Sequence, residues 1–193
     1  MKIGVLALQG AFIEHIKILR RLGIEAVEVR LPEQLDGLDA LIIPGGESTT
    51  ISKLAVKYGL MEPLHKFAAE KPLWGTCAGM IFMAKKVGED QPLLNLMDIV
   101  VERNAFGRQV DSFEADLAVP ALSNGQALPF PAVFIRAPIL LEANEEAGVE
   151  IVAQLEDGTA VAARQGHWLV TSFHPELTDD DRFHRYFLEM IKK

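Results

Sequence analysis

Short apolar runs alternate with amphipathic stretches through the first half of the chain. Runs typical of strands buried in a sheet cover residues 3–8, 25–29, 40–43 and 73–75. Helical spacing of apolar residues predicts helices over residues 12–22, from residue 48 or 49, over 61–69 and from 78 to about 86. Strands that alternate with helices predict an α/β fold, a three-layer sandwich with a central, mostly parallel sheet flanked by helices.

The pattern changes in the second half, where short strands follow one another directly. Six are predicted, over residues 99–103, 112–119, 133–135, 149–155, 159–164 and 168–172. Two dipeptides typical of hairpin turns separate the last three: Asp157-Gly158 and Gln165-Gly166. Residues 120–131 are rich in Pro, Gly, Ser and Asn and predict an exposed loop, and a helix from about residue 181 closes the chain. We therefore expect a smaller antiparallel extension in the C-terminal half.

The composition is that of an ordinary globular protein and argues against some partners. The 193 residues are about half hydrophobic and carry a net charge of −8, so we expect one domain over residues 1–193 and neither nucleic acid nor an anionic membrane as partner. No apolar run approaches the roughly 18 residues of a membrane span, and the N-terminus does not read as a signal peptide. A lone cysteine is compatible with a reducing cytoplasm, and no Cys pair or HExxH spacing indicates a metal or another cofactor.

The lone cysteine stands in a motif that is typical of a reactive nucleophile. Gly75-Thr76-Cys77-Ala78-Gly79 joins a short apolar strand to a helix, as in the nucleophile elbow of hydrolases, with cysteine in the place of serine. The two glycines leave room for the sharp turn, and the N-terminus of the helix favours the thiolate, which is the nucleophilic form. The alternative is a buried structural cysteine, and the motif alone leaves both interpretations open.

A cysteine nucleophile needs a base, and His174 is the candidate among the five histidines. It follows an apolar run at the end of a predicted strand, where open α/β sheets place their sites. Pro175 stiffens the turn, so that Glu176 can orient one ring nitrogen while the other faces the thiol. The alternative is a strand-end turn with a solvated glutamate. His15 and His184 lie on predicted helices, and we expect them at surface positions without a catalytic role.

The stretch Pro44-Gly45-Gly46-Glu47-Ser48 follows the third predicted strand and has three interpretations. It is similar to a phosphate-binding loop before a helix, although the lysine of the Walker motif is absent. It also suits an oxyanion hole, because small residues let backbone N–H groups point at a developing negative charge. The third interpretation is a Gly-Gly turn with Ser48 as the N-cap of the helix.

These three motifs, taken together in their order along the chain, carry a family resemblance. The chain resembles the class I, triad-type glutamine amidotransferases, and within them the glutaminase subunits of pyridoxal 5′-phosphate synthase. The similarity extends over nearly the whole chain, through residues 4–15, 101–109, 134–138 and 172–178. It implies a class I glutamine amidotransferase-like fold and a single glutaminase domain.

The resemblance implies hydrolysis of L-glutamine, with transfer of the ammonia to a synthase subunit that builds pyridoxal 5′-phosphate from a pentose phosphate and a triose phosphate. It implies that Cys77 is the nucleophile, that His174 is the general acid/base and that Glu176 orients the histidine. The backbone N–H groups of Gly46 and Ala78 correspond to the oxyanion hole. The positions that contact L-glutamine in the family are Gly46, Glu47, Ser48, Arg103, Ile135 and Arg136.

The resemblance further implies a large hetero-oligomer on a dodecameric synthase core, with docking that organises the glutaminase site. Gln9, predicted at the end of the first strand on the same sheet edge, is our candidate relay for that control. The main alternative is the glutaminase of another amidotransferase, such as the imidazole glycerol phosphate synthase type. A self-sufficient hydrolase of γ-glutamyl peptides and a glutamine sensor without turnover are further alternatives.

Overall fold

The computed structural model describes residues 1–88, 90–103 and 112–192. Within these ranges the chain forms five α-helices: α1 (Phe12–Arg21), α2 (Ser48–Lys57), α3 (Met61–Glu70), α4 (Ala78–Met83) and α5 (Arg182–Ile191). The same ranges contain twelve strands: β1 (Lys2–Leu6), β2 (Glu25–Val29), β3 (Ala40–Ile43), β4 (Leu73–Thr76), β5 (Ala84–Val87), β6 (Met97–Glu102), β7 (Ser112–Leu117), β8 (Phe130–Ile135), β9 (Ile139–Ala143), β10 (Val149–Gln154), β11 (Ala160–Gln165) and β12 (Trp168–Thr171). Short 3₁₀ helices cover Pro32–Leu35, Glu145–Ala147 and Pro175–Leu177.

The described strands form one main sheet and one small one. The main sheet has the order β2-β1-β3-β4-β12-β11-β9-β6-β5, with β10 paired on β11. Strands β2, β1, β3, β4 and β12 are parallel neighbours. Strand β11 pairs antiparallel with β12, β10 and β9, and β7 and β8 form the small antiparallel sheet. The predicted mostly parallel sheet with an antiparallel extension in the C-terminal half is confirmed.

Hydrophobic cores lie on the two faces of the main sheet. Along β3, Leu41 and Ile43 pack into one core and Ala40 and Ile42 into the other, because successive side chains of a strand point to opposite faces. Helices α2, α3 and α4 cover the first face, and α1 and α5 cover the second. This arrangement confirms the predicted three layers and explains why β3 reads as a continuous apolar run.

Helix α4 is shorter than the prediction. We expected it to reach about residue 86, but it ends at Met83, and Ala84–Val87 forms β5. Strand β5 pairs in parallel with β6, and the N–H of Leu96 donates to the carbonyl of Met83 at 3.0 Å. These partners satisfy backbone groups that would otherwise continue the helix. The local spacing of apolar residues contains no information about that pairing.

Two further predictions for the C-terminal half need correction. Strand β9 was not predicted, and it lies between β6 and β11, where it pairs antiparallel with both. Residues 120–131 do not form a wholly exposed loop, because Leu122 is buried and residues 130 and 131 begin β8. A Cβ on Gly125 would lie 1.8 Å from the Val119 carbonyl oxygen, so this turn packs closely upon itself.

The predicted hairpin turns and the closing helix are confirmed. Asp157-Gly158 joins β10 to β11, and Gly166 lies between β11 and β12. Helix α5 begins at Arg182 and buries the side chains of Phe183 and Phe187 completely. None of the helices in the described ranges is both long and apolar enough to cross a membrane.

Candidate active site

The carboxyl ends of four neighbouring parallel strands meet at one edge of the main sheet. Gln9 follows β1, Gly46 follows β3, Cys77 follows β4 and His174 follows β12. A cavity of about 400 Å³ opens at this edge. It is lined by these four residues, by Ala78 and by the other positions predicted to contact L-glutamine, which are Glu47, Ser48, Arg103, Ile135 and Arg136. The structure therefore brings the cysteine, the histidine and every predicted glutamine-contacting residue to one cavity.

Cys77 stands on a sharp turn between β4 and α4. Its φ is +48°, a conformation that residues other than glycine rarely adopt. The backbone can pack closely around this turn because Gly79 has no side chain: a Cβ there would lie 2.0 Å from the Ile43 carbonyl oxygen. The N–H of Cys77 donates to the Thr171 carbonyl of β12 at 2.7 Å, which fixes the elbow to the neighbouring strand. The geometry is that of the predicted nucleophile elbow.

His174 and Glu176 form a buried pair beside the cysteine. The ring Nδ1 lies 2.6 Å from Glu176 Oε1, and the two residues are only 7% and 5% exposed. Burial by itself would lower the pKa of His174, but hydrogen bonds to Cys77 and Glu176, together with their negative charges, raise that pKa to about 10. At neutral pH the ring is therefore an imidazolium. The alternative of a strand-end turn with a solvated glutamate is wrong, because Glu176 is buried.

The glycine turn after β3 lies against both of these side chains. A Cβ on Gly45 would be 2.3 Å from His174 Cε1 and 3.2 Å from the Cβ of Cys77. The loop after β1 holds the turn from the other side, because the N–H of Ala11 donates to the Gly45 carbonyl at 3.0 Å. Gln9 Oε1 accepts the N–H of Glu47 at 2.6 Å. The predicted relay residue thus contacts the segment that is predicted to form the oxyanion hole.

Glu47, and not Ser48, is the N-cap of α2. Its side chain accepts the backbone N–H groups of Thr49 and Thr50. Burial opposes ionisation, but these hydrogen bonds, with those from the two hydroxyl groups, lower the pKa of Glu47 to about 2. The chain's own carboxylate thus occupies the helix terminus that would hold a phosphate, and the phosphate-loop interpretation is not supported. Arg103 Nη2 lies 3.4 Å from Glu47 Oε1 and adds a positive charge to the rim.

The opposite wall is formed by the end of β8. The carbonyl oxygen of Ile135 lies 3.9 Å from Cys77 Sγ. Arg136 has a φ of +43° and lines the cavity.

The sequence analysis missed one residue beside the cavity, Gln91. The hydroxyl of Ser48 donates to Gln91 Oε1 at 3.1 Å. Gln91 stands outside regular structure, and no local pattern indicates its position.

The prediction that His15 and His184 lie at the surface is wrong. Both side chains are completely buried, on α1 and α5. His15 Nε2 lies 3.3 Å from Glu176 Oε2, so it stands directly behind the predicted orienting carboxylate. Both histidines lie on amphipathic helices, but they contact each other from opposite ends of the chain. The local spacing of apolar residues does not indicate such a contact.

The described residues contain no group of three or more His, Cys, Asp or Glu side chains that could hold a metal ion. Residues 104–109, which contribute to the family resemblance, lie outside the described ranges.

The fold and the cavity together define a class of protein. An α/β sandwich with a cysteine elbow and a buried histidine–glutamate pair at the carboxyl edge of its sheet is the arrangement expected of a triad-type glutamine amidotransferase. A family model for the SNO glutamine amidotransferase family matches residues 5–193, and the chain belongs to this family.

Individual relatives agree with that assignment. The chain is 60% identical over 196 residues to the pyridoxal 5′-phosphate synthase subunit PdxT of Dehalococcoides mccartyi, a match that covers 100% of this chain and 98% of the relative. It is 57% identical over 195 residues to the same subunit of Geobacillus kaustophilus, with 100% and 96% covered. A crystal structure of a glutamine amidotransferase matches at a TM-score of 0.92 and 53% identity, with 100% of both chains covered.

Proposed function

We propose that this chain is the glutaminase subunit of a pyridoxal 5′-phosphate synthase. It hydrolyses L-glutamine to L-glutamate and ammonia, and the ammonia passes to a synthase subunit that uses a pentose phosphate and a triose phosphate. Relatives at 57–60% identity are named as subunits of this synthase, which favours it over the imidazole glycerol phosphate synthase type. The observation that carries the chemistry is the elbow cysteine, Cys77, beside the buried pair of His174 and Glu176.

The cavity suits L-glutamine by size and charge. Its volume of about 400 Å³ lies within the range of sites for small molecules. Arg103 and Arg136 line it, and an arginine is suited to hold the α-carboxylate by charge-assisted hydrogen bonds. The α-ammonium group needs acceptors, which backbone carbonyls can supply. With the α-carbon held this way, the side-chain carboxamide extends toward Cys77.

In the first half of the reaction, the thiolate of Cys77 attacks the carboxamide carbon and forms a tetrahedral intermediate. His174 holds a proton at neutral pH, because its pKa is raised to about 10, and so it is ready to act as an acid. The imidazolium donates that proton to the departing nitrogen as the C–N bond breaks. Ammonia leaves, and a glutamyl thioester remains on Cys77.

In the second half, the neutral ring of His174 removes a proton from water, and the resulting hydroxide attacks the thioester. The C–S bond breaks, L-glutamate leaves, and the thiolate–imidazolium pair is restored. Glu176 accepts the Nδ1–H of His174 and holds the ring in the tautomer that directs its other nitrogen at the sulfur.

The backbone N–H groups of Gly46 and Ala78 stabilise the oxyanion of both intermediates. Loss of one such donor typically slows a reaction about 10²–10³-fold. A turn that is misaligned before docking would therefore keep the free subunit nearly silent, which avoids wasted ammonia. Gln9 holds the peptide after Gly46 through its bond to the Glu47 N–H, and we propose it as the relay by which docking aligns the turn.

The proposed setting rests on the family resemblance. The synthase subunit is the direct partner, in a large hetero-oligomer on a dodecameric core. A reducing compartment, the cytoplasm, suits an enzyme whose lone cysteine must remain a thiol.

The experiment that tests the proposal measures glutamate release from L-glutamine by the purified chain, with and without the synthase subunit. We expect activity that appears with the synthase and is lost in Cys77→Ala. Ser123→Ala, a small substitution at an exposed loop position, is the matched control and should behave as wild type.

Two outcomes would contradict the proposal. Strong activity without the synthase would indicate a self-sufficient glutaminase or a hydrolase of γ-glutamyl peptides. Tight binding of L-glutamine without release of glutamate, in the presence of the synthase, would indicate a sensor.

A further inference from the structure

Two histidines that this mechanism does not use are buried behind the pair of His174 and Glu176. Glu176 binds His174 Nδ1 through Oε1 at 2.6 Å, and its other oxygen, Oε2, lies 3.3 Å from His15 Nε2. His15 Nδ1 in turn lies 3.0 Å from His184 Nε2. A continuous line of polar side chains therefore runs from Cys77 at the cavity through His174, Glu176 and His15 to His184 in the core.

We propose that His15 is a positioning residue of the glutaminase reaction: its Nε2–H holds the second carboxylate oxygen of Glu176, and His184 keeps His15 in the tautomer that this contact requires. The activity part of the test rests on the proposed function, whereas the tautomer part does not.

The carboxylate needs such a donor. Glu176 Oε2 is buried, and apart from the 3.3 Å contact with His15 Nε2 it has no hydrogen-bond partner among the residues that the structure describes. A buried carboxylate oxygen without a donor costs free energy and favours protonation of the group. His15 Nε2 stands beside this oxygen and also lies 3.4 Å from Thr76 Oγ1, so a proton on that nitrogen has two acceptors within reach.

The protonation states follow from burial. Burial, and then the charges of His184 and His174, lowers the pKa of His15 well below its ordinary value. Burial also lowers the pKa of His184 to about 3, so both rings are neutral and carry one N–H each. With the proton of His15 on Nε2, its Nδ1 is an acceptor and takes the Nε2–H of His184. His184 Nδ1 is then unprotonated, and it is the buried ring nitrogen for which the described residues supply no partner.

The opposite assignment is unfavourable at both ends of the line. The Thr76 hydroxyl could then donate to His15 Nε2, but the lone pair of this nitrogen would also face the Glu176 carboxylate at 3.3 Å. The N–H of His184 Nδ1 would have no acceptor among the described residues. Packing keeps the line in place, because Trp74 lies edge-on to both rings, with centroid distances of 5.7 Å to His15 and 4.9 Å to His184.

Charged groups surround this line at the protein surface. They lie on α1 and just before α5, and they are Glu14, Lys17, Arg21, Asp179 and Asp181. All of them remain unchanged in the variants below, so a shifted pH profile reports on the buried carboxylate.

The test compares His15→Phe with His15→Gln in the glutaminase assay with the synthase partner. Phenylalanine fills the space without a donor, whereas the side-chain N–H of glutamine reaches the position of Nε2. For His15→Phe we expect kcat to fall about ten- to a hundredfold, as when the hydrogen-bond partner of a metal-binding histidine is removed, with KM for L-glutamine unchanged. The acid limb of the kcat–pH profile should move to higher pH, because a buried carboxylate that loses a hydrogen-bond donor is less stable in its charged form. His15→Gln should restore most of kcat and the wild-type acid limb.

His167→Phe is the matched control. His167 binds the carbonyl of Ala68 at 2.8 Å, at the amino end of β12, away from the cavity. The same chemical change there should lower stability without moving the pH profile. His184→Phe should give a weaker form of the His15→Phe result, because His15 can then change its tautomer.

An acid limb that stays in place in His15→Phe, or a His15→Gln variant no better than His15→Phe, would overturn the proposal. A second measurement is independent of activity and of whether His15→Phe folds. In ¹⁵N NMR spectra of the wild-type chain, His15 and His184 should both be Nε2–H tautomers, and a proton on Nδ1 of His15 would also overturn it. A wild-type chain that releases no glutamate would contradict the proposed function alone, and the tautomer result would still decide this inference.

Discussion

At the scale of single residues, the candidate site consists of groups held in unusual states by their neighbours. Cys77 has a positive φ, because the chain passes from β4 into α4 within one residue. His174 is buried and yet charged at neutral pH, because Glu176 and Cys77 supply negative partners. Such perturbed groups, gathered in one cavity, are typical of catalytic sites.

The charge of His174 leads to a prediction about pH. Its folded-state pKa of about 10 lies above its ordinary value of 6.5, so its contribution to stability is complete below pH 6.5 and is lost as the pH rises through 10. Glu176→Gln removes one of the charges that raise this pKa. The ring should therefore lose its proton at lower pH in the variant, as an NMR titration of His174 will show, and kcat should fall by up to about 10⁴-fold.

The control for that prediction is Glu62→Gln, which removes the same charge from an exposed ion pair with Lys66 on α3. It should leave the titration of His174 unchanged. Equal titration of His174 in wild type and Glu176→Gln would show that another group keeps the ring charged.

At the scale of elements, the position of the nucleophile depends on how closely α4 approaches β3. Gly79 lies in the first turn of α4, and a Cβ there would be 2.0 Å from the carbonyl oxygen of Ile43 at the end of β3. The overlap is with backbone, so no rotamer change can relieve it. The elbow would have to move away from the turn that carries Gly46.

Gly79→Ala should therefore lower the free energy of unfolding by about 1–3 kcal/mol, measured by urea denaturation, and should abolish glutamate release. The matched control is Gly88→Ala, because a Cβ on Gly88 meets nothing within 4 Å. That variant should lie within about 0.5 kcal/mol of wild type. A Gly79→Ala variant with the stability and activity of Gly88→Ala would mean that the elbow tolerates the displacement.

At the scale of the whole molecule, the sheet order decides which parts of the chain communicate. Strand β1 lies beside β3, so the loop after β1 packs on the glycine turn, and β12 lies beside β4, so His174 reaches Cys77. The exposed side of the β1 loop is open to a partner, since Ile13 is 48% exposed just after it. A docked subunit that displaces this loop would move the turn as well.

Gln9→Ala tests that coupling. It removes the acceptor of the Glu47 N–H, so the glutaminase activity measured with the synthase should fall about 10²-fold or more, as for loss of an oxyanion donor. Gln34→Ala is the matched control, because Gln34 Oε1 also accepts backbone N–H groups, those of Arg30 and Leu31 at 2.7 and 2.9 Å, but outside the cavity. Stimulated activity in Gln9→Ala equal to that of Gln34→Ala would exclude the relay.

The sequence by itself determined the class of fold and the residue types that line the cavity. Continuous apolar runs separated by helical spacing are sufficient to indicate a parallel sheet between two helical layers, because burial on both faces requires them. The cysteine elbow and the His174-Pro175-Glu176 turn are local motifs, so their residue types can be read without a structure. The six predicted glutamine-contacting positions also line the cavity that forms.

Only the tertiary structure decided the features that depend on pairing across the chain. The end of α4 is set by the pairing of β5 with β6, and β9 is recognisable as a strand through its partners β6 and β11. The burial of His15 follows from its meeting with Glu176 and His184, residues at the far end of the chain. A local pattern reports which face of a helix is apolar, but whether a polar side chain at its edge meets water or a buried partner is decided by packing between distant segments.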